Sequence, residues 1–202
     1  MTGMLAAALL CSGANAYSSP DDGLRLAEEL YRKGLYDEAR TLFEAEEDNP
    51  MADGYVVLCA LKTRSVDYET LMGEYERRYG RTILTGAIRL ENARLIFDQG
   101  RYAEAALEFS KVESSSIPSA DMPEYVFKCA YCEFALGRHQ EALQLFTLLE
   151  ALNASEYNAP GRYLSGVIHY DREDFATAEK FFLQAASDPR FKDLAEFYIV
   201  DC

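Results

Sequence analysis

Positive charge is scarce in this chain: its 202 residues hold 20 Lys and Arg against 34 Asp and Glu, a formal charge of −14. A surface this negative repels phosphate backbones and anionic head groups, which argues against nucleic acid and against electrostatic attachment to a membrane. The best basic cluster, Arg77, Arg78 and Arg81, is equally well explained as an exposed helix end. Histidine is scarcer still. A Ser-His-Asp or Cys-His arrangement would have to use His139 or His169, and both fall at packing positions of a repeated helical pattern. HExxH, a GxGxxG after a strand and a phosphate-binding GxxxxGK are all missing, and no strand pattern exists to carry one. The acidic run "EAEEDN" (44–49) lacks the glycine and alternating spacing of a calcium loop, so it reads as a solvated helix end. The chain therefore reads as non-catalytic, with no cofactor and no metal.

Cysteine is present but scattered. Beyond residue 16 the chain has Cys59, Cys129, Cys132 and Cys202, too widely spaced for a disulfide framework. "CAYC" (129–132) has the CxxC spacing of a redox pair or half a metal site, yet no second CxxC accompanies it. Its position mid-helix favours core packing over redox chemistry. Long apolar runs are missing too. The one short run, "MLAAALL" (4–10), leads into "CSGANA", with Ala14 and Ala16 in the small-x-small arrangement of a signal-peptidase site. Residues 1–16 thus read as a signal peptide, although no Lys or Arg precedes Arg25. This start implies an exported protein of the periplasm or cell envelope. Cys11 does not make a lipoprotein site, because Leu9 and Leu10 are bulkier than such sites accept. No other stretch is apolar enough to enter a membrane. "NAS" (153–155) fits a glycosylation sequon, a three-residue match of little specificity.

What the chain does have is repetition. A ring, a small residue and a second ring at offsets 0, 3 and 7 recur as Tyr36/Ala39/Phe43, Tyr102/Ala105/Phe109, His139/Ala142/Phe146 and Phe175/Ala178/Phe182, with Tyr68/Leu71/Tyr75 a looser copy. The middle position advances by 32, 34, 37 and 36 residues. At these offsets the three side chains share one helical face, and the small residue admits a neighbouring helix. A second periodic segment precedes each copy, at 23–33, 53–65, 85–98, 123–136 and 160–172, with Ala27, Cys59, Ala93, Ala130 or Gly166 at its centre. Gly34, Gly100 and Gly137 mark the joints between paired helices, where a left-handed residue ends the first. Val66 and Glu173 stand at that place in the other two copies, so those joints should be weaker. Pro50, Pro118, Pro123, Pro160 and Pro189 all fall between repeats or in a first turn. "SSSIPSADMP" (114–123) reads as a long loop between repeats, because the pattern resumes in step beyond it.

A helix-turn-helix unit of about 34 residues with these positions resembles the tetratricopeptide repeat. Ala27, Tyr36, Ala39, Phe43 and Pro50 fit the family pattern in the first copy, and copies three to five follow similarly. The second departs most, with Leu71 for alanine, and the family's early first-helix aromatic is kept only at Tyr55. The resemblance implies an all-α, right-handed superhelical solenoid of about five helix pairs. Residues 17–202 would form this domain, with repeats near 21–52, 53–84, 85–120, 121–157 and 158–190 and a partial sixth at 191–202. "DLAEFYIVDC" (193–202) reads as a first helix too apolar to be a cap, from which further repeats beyond Cys202 are expected.

The resemblance also implies a function: a non-catalytic protein-interaction scaffold that holds a protein or peptide partner in a groove lined by first helices. The groove positions are Leu90, Arg94 and Phe97 in repeat three, Phe127, Tyr131 and Phe134 in repeat four, and Tyr163, Val167 and Tyr170 in repeat five. Aromatics recur there, as at binding hot spots, although rings at these places also serve packing between helices. Tyr131 and Tyr170 are the leading candidates, and Tyr131→Ala is expected to weaken a partner with little loss of melting temperature. Two other readings stay open: a docking or sensory portion of a larger enzyme or signalling protein, and a structural repeat spacer.

Overall fold

The computed structural model describes residues 20–82, 84–152 and 156–202, so the apolar start and the sequon lie outside the described residues. Eleven α-helices and no strand are found among the described residues: α1 (Pro20–Arg32), α2 (Tyr36–Phe43), α3 (Pro50–Thr63), α4 (Tyr68–Tyr79), α5 (Thr85–Asp98), α6 (Tyr102–Ser110), α7 (Met122–Ala135), α8 (His139–Ala151), α9 (Asn158–Asp171), α10 (Phe175–Ala185) and α11 (Lys192–Asp201). Odd-numbered helices are the first members of pairs and even-numbered ones the second. Each second helix packs on its own first helix, and most pack also on the first helix of the next pair, giving a helical solenoid.

The joints share one hydrogen bond. Leu35 N–H donates to Leu30 C=O, Ser65 to Ala60, Arg101 to Ile96, Arg138 to Glu133 and Asp174 to His169, each over five residues. This is the bond that closes a helix end through a left-handed residue. Gly34, Gly100 and Gly137 supply that residue with φ of 79°, 75° and 71°. Glu173 takes it without glycine, at φ 59°. In the second pair the left-handed residue is Arg64 (φ 55°) and not Val66, which lies fully exposed. The helix stops two residues early because Ser65 and Asp67 turn back on α2: the Asp67 carboxylate accepts from Ser65 Oγ at 2.5 Å and from Arg40 Nη2 at 2.7 Å. Arg40 and Ser65 together hold the Asp67 carboxyl down to about 2.

Small residues face each other where paired helices cross. Ala27 and Ala39, Ala93 and Ala105, and Ala130 and Ala142 are fully buried. In the fifth pair Gly166 meets Ala178, and the Phe182 ring fills the space its missing methyl leaves: an added Cβ would lie 2.7 Å from Phe182 Cε1. The second pair has Cys59 and Leu71 instead. Leu71 packs against the core on both sides of α3, and α3 packs directly on α5 as well as on α4. Helix α3 is accordingly buried on all sides, from Val56 through Leu61 without a break. The linker after α6 is stapled down, with a 3-10 turn at Ser114–Ser116 and Ile117 inserted in the core between α5, α6 and α7.

Two changes test the crossing and the joint in urea unfolding. Gly166→Ala drives a methyl into the Phe182 ring and should cost about 1–3 kcal/mol. Glu173→Gly removes a left-handed non-glycine residue and should gain about 1 kcal/mol. A neutral Gly166→Ala, or a destabilising Glu173→Gly, would contradict the packing or the joint respectively.

Candidate functional site

The first helices α3, α5 and α7 lie side by side and share a face crossed by a chain of ion pairs. Lys62 Nζ on α3 meets Glu91 Oε1 on α5 at 2.7 Å, and Glu91 Oε2 meets Arg94 Nη1 at 3.3 Å. Arg94 Nη2 reaches Glu124 on α7 at 2.5 Å and Asp121 just before it at 3.3 Å. Lys128 Nζ, also on α7, returns to Asp98 of α5 at 3.1 Å and touches Glu124 at 3.3 Å. Arg64 adds a looser contact to Asp98 at 3.7 Å. The inner members are well shielded, with Lys128 13%, Glu91 14% and Arg94 16% exposed at the side chain. Burial opposes the charge of Arg94, but the carboxylates of Glu124, Glu91 and Asp121 outweigh it and raise its guanidinium above the usual arginine range. Four cations and four carboxylates make this face locally neutral in a chain of −14.

A row of half-buried rings borders the ion pairs. Phe97, Tyr102 and Tyr131 form a triangle with centroids 5.2–5.5 Å apart. Tyr131 also touches Phe127 and Phe134, each at 6.1 Å, and Phe127 meets Tyr157 at 5.3 Å. Lys128 Nζ sits 4.8 Å over the Phe97 ring and so joins the row to the ion pairs. A cavity of about 340 Å³ opens at the other end of the face, lined among others by Tyr31, Tyr36, Leu58, Lys62, Glu91 and Arg94.

The nine positions named from the sequence separate into three environments. Phe97, Phe127, Tyr131 and Phe134 come together in the ring row, with Phe134 stacked on His139 at 6.0 Å. Arg94 lies in the ion-pair chain, and Leu90, 4% exposed and packed in the core between α5 and α6, also lines the cavity beside it. Tyr163, Val167 and Tyr170 pack toward α10 and α11: Tyr163 touches Phe182 and Phe191, and Tyr170 meets Tyr198 at 5.0 Å. The Tyr170 hydroxyl donates to Asp201, whose carboxylate pushes the phenol up to about 12. Sequence reasoning missed Lys62, Glu91, Asp98, Asp121, Glu124 and Lys128. The i,i+3 spacing of Glu91 and Arg94 and the i,i+4 spacing of Glu124 and Lys128 were the available signals.

Other candidate chemistry is absorbed by structure. Cys129 and Cys132 are free thiols that burial pushes up to about 12, which disfavours the reactive thiolate. His169 Nδ1 lies 3.0 Å from Asp174, with its ring stacked on Phe181 at 5.5 Å. At the end of the acidic run, Asn49 caps α3 by accepting from the N–H groups of Met51 and Ala52. Among the described residues no group of His, Cys, Asp and Glu is placed to hold a metal ion, and no helix is long and apolar enough to cross a membrane.

Residues 90–157 match the family model for the tetratricopeptide repeat. No curated protein matches the chain in sequence. Two crystal structures of the nearly identical TPR-like repeats of a putative kinesin light chain from Podosopora anserina share its fold. One is 15% identical, with a TM-score of 0.55 over 85% of this chain and 96% of that one. The other is also 15% identical, with a TM-score of 0.54 over 83% and 92%. A thermophilic TPR protein of Thermus thermophilus is 17% identical over 90% of this chain and all of that one, with a TM-score of 0.46.

The Arg94–Glu124 pair should carry the coupling between α5 and α7. In a double-mutant cycle of Arg94→Met and Glu124→Gln, we expect a coupling energy of about 1–2 kcal/mol in thermal or urea unfolding, diminishing as salt is raised. Additive single effects would mean that the two side chains are merely adjacent.

Proposed function

We propose that this chain is a tetratricopeptide repeat protein with a non-catalytic role, in which the shared face of α3, α5 and α7 docks a segment of a partner protein. One observation carries the reading: half-buried rings, Phe97, Phe127, Tyr131 and Phe134, border an ion-pair frame that is locally neutral. Half-exposed rings offer contact area at low entropic cost, and the fixed polar frame supplies direction and register. Local neutrality matters because a net-acidic surface attracts cationic segments without discrimination. The family at large binds proteins and is generally non-catalytic, in keeping with this role. Export supports a place in the periplasm or cell envelope, on the strength of the apolar run at 4–10 and the small residues Ala14 and Ala16.

A spacer role for the last helix has its own support. Leu194, Phe197 and Val200 form a stripe along α11 that is 53%, 70% and 89% exposed. Its spacing suits it to seat a further helix, as α9 is seated by α10, so further repeats of the same chain are the natural occupant.

The docking test is a peptide selected from a random library on the immobilised protein, followed by amide shift mapping in NMR. Shifts should concentrate on α5 and α7, and shifts confined to second helices would overturn the reading. The contacts of Tyr131 also change which variant is informative. With four ring neighbours, Tyr131→Ala should lower stability by about 2–4 kcal/mol, against the expectation of a small effect. Tyr131→Phe keeps the packing and should weaken the selected peptide while leaving the melting temperature within about a degree or two.

A further inference from the structure

A further cavity lies away from the shared face of the first helices. It measures about 510 Å³ and lies at the edge of the array, between the α4–α5 turn, the first turn of α5 and the segment after α6. Three separate stretches each bring a cation to it: Arg81 from the turn, Arg89 from α5 and Lys111 just beyond α6. Glu113 is the one carboxylate among the described residues that line it. Among the residues that line it, cations thus outnumber carboxylates three to one. The lining also presents hydroxyls, those of Thr85, Ser115 and Ser116 among them. Gly86 shapes this wall: an added Cβ would fall 2.5 Å from Ser116 Cβ and collide with its Oγ, so only glycine lets that hydroxyl lie against the first turn of α5.

Each cation now has a carboxylate partner. Arg81 meets Glu113, Arg89 meets Glu76 at 3.3 Å, and Lys111 meets Glu108 at 2.6 Å. Exposed pairs of this kind contribute little to stability and exchange readily for a better anion. The terms of that exchange select the ligand. A monocarboxylate would replace one carboxylate by another and gain nothing. A phosphate monoester carries about −1.5 to −2 charges near neutral pH and three strong acceptor oxygens. It can therefore engage two cations together, and the arginine fork matches its geometry. We propose that this cavity binds a phosphate monoester, held by Arg81, Arg89 and Lys111 with the Ser115 hydroxyl, since Ser116 Oγ already donates to Glu113 C=O at 2.6 Å. The site is distinct from the inner face and does not depend on the docking reading. The same chemistry is offered by a phosphorylated side chain of a partner and by a free phosphate ester, and the two are separable by experiment.

The probes are inorganic phosphate and the peptide Gly-Gly-Ser-Gly-Gly in three forms: phosphorylated on serine, unmodified, and with glutamate in its place. Titration calorimetry at low salt should show the phosphorylated peptide binding at least tenfold more tightly than the other two. A phosphorylated peptide tighter than inorganic phosphate assigns the site to a modified polypeptide, and equal affinities assign it to the phosphate group alone. Arg81→Ala and Lys111→Ala alter exposed side chains and should each cut the phosphorylated peptide's affinity several-fold at unchanged melting temperature. If the glutamate peptide binds as well as the phosphorylated one, the phosphate assignment is wrong. Affinity that survives the combined Arg81→Ala/Lys111→Ala change places the binding elsewhere on the molecule.

Discussion

Each repeat in this protein is locked to the next by one ring near the end of its second helix. Phe43, Phe109, Phe146 and Phe182 are all buried, and each reaches forward into the next first helix. Phe43 stacks on Tyr55 with centroids 4.7 Å apart and planes 7° from parallel, and Phe182 stacks on Tyr198 at 4.7 Å and 12°. Phe109 meets the edge of Tyr125, and Phe146 lies under Gly161, where an added Cβ would be 3.2 Å from its ring. The partners differ, but the ring always needs a flat or empty place one repeat onward. That requirement sets the spacing of the helices, and through it the alignment of the first helices on which the inner face depends. In the second pair the ring is Tyr75, whose hydroxyl must be satisfied if it is buried. Thr82 does this at 2.6 Å and so ties the α4–α5 turn to the core.

A large crossing residue changes the second pair throughout. Leu71 stands where the other pairs have alanine and packs against the core on both sides of α3, which itself packs on both α4 and α5. A helix buried on every side cannot also keep an amphipathic pattern, and the run Val56–Leu61 has none. The displaced end of α3 and its Ser65–Asp67 turn belong to the same local solution. Arg40 reaches from α2 to fix that turn, so a charged brace does at the surface what a close small-residue crossing does elsewhere in the core.

Legibility in the sequence depends on the range of the interaction. The helix pairs could be read because ring, small residue and glycine recur at spacings set within a single helix or a single joint. The displaced joint at Arg64 could not, because it depends on Arg40 meeting Asp67 across 27 residues. The inner face was half legible. Helical periodicity brings Leu90, Arg94 and Phe97 near a shared face, but it does not reveal how far α6 and the linker close over Leu90. The ion-pair chain is made of contacts about 30 residues apart, such as Arg94 with Glu124 and Lys128 with Asp98, and only its short-range members left a trace in the spacing.

Lys128 connects the two halves of the inner face. Its ammonium is shared by Glu124 and Asp98 and rests on the Phe97 ring, which in turn touches Tyr131. Any segment that presses on Phe97 or Tyr131 therefore acts on the charge pairs that align α5 with α7. The converse also holds, because a shift of α7 against α5 moves the floor of the ring row. The ring row and the relative setting of repeats three and four are thus coupled through one side chain. The coupling is mechanical in origin, since Lys128 is too shielded to exchange its partners for water without moving the helices that carry them.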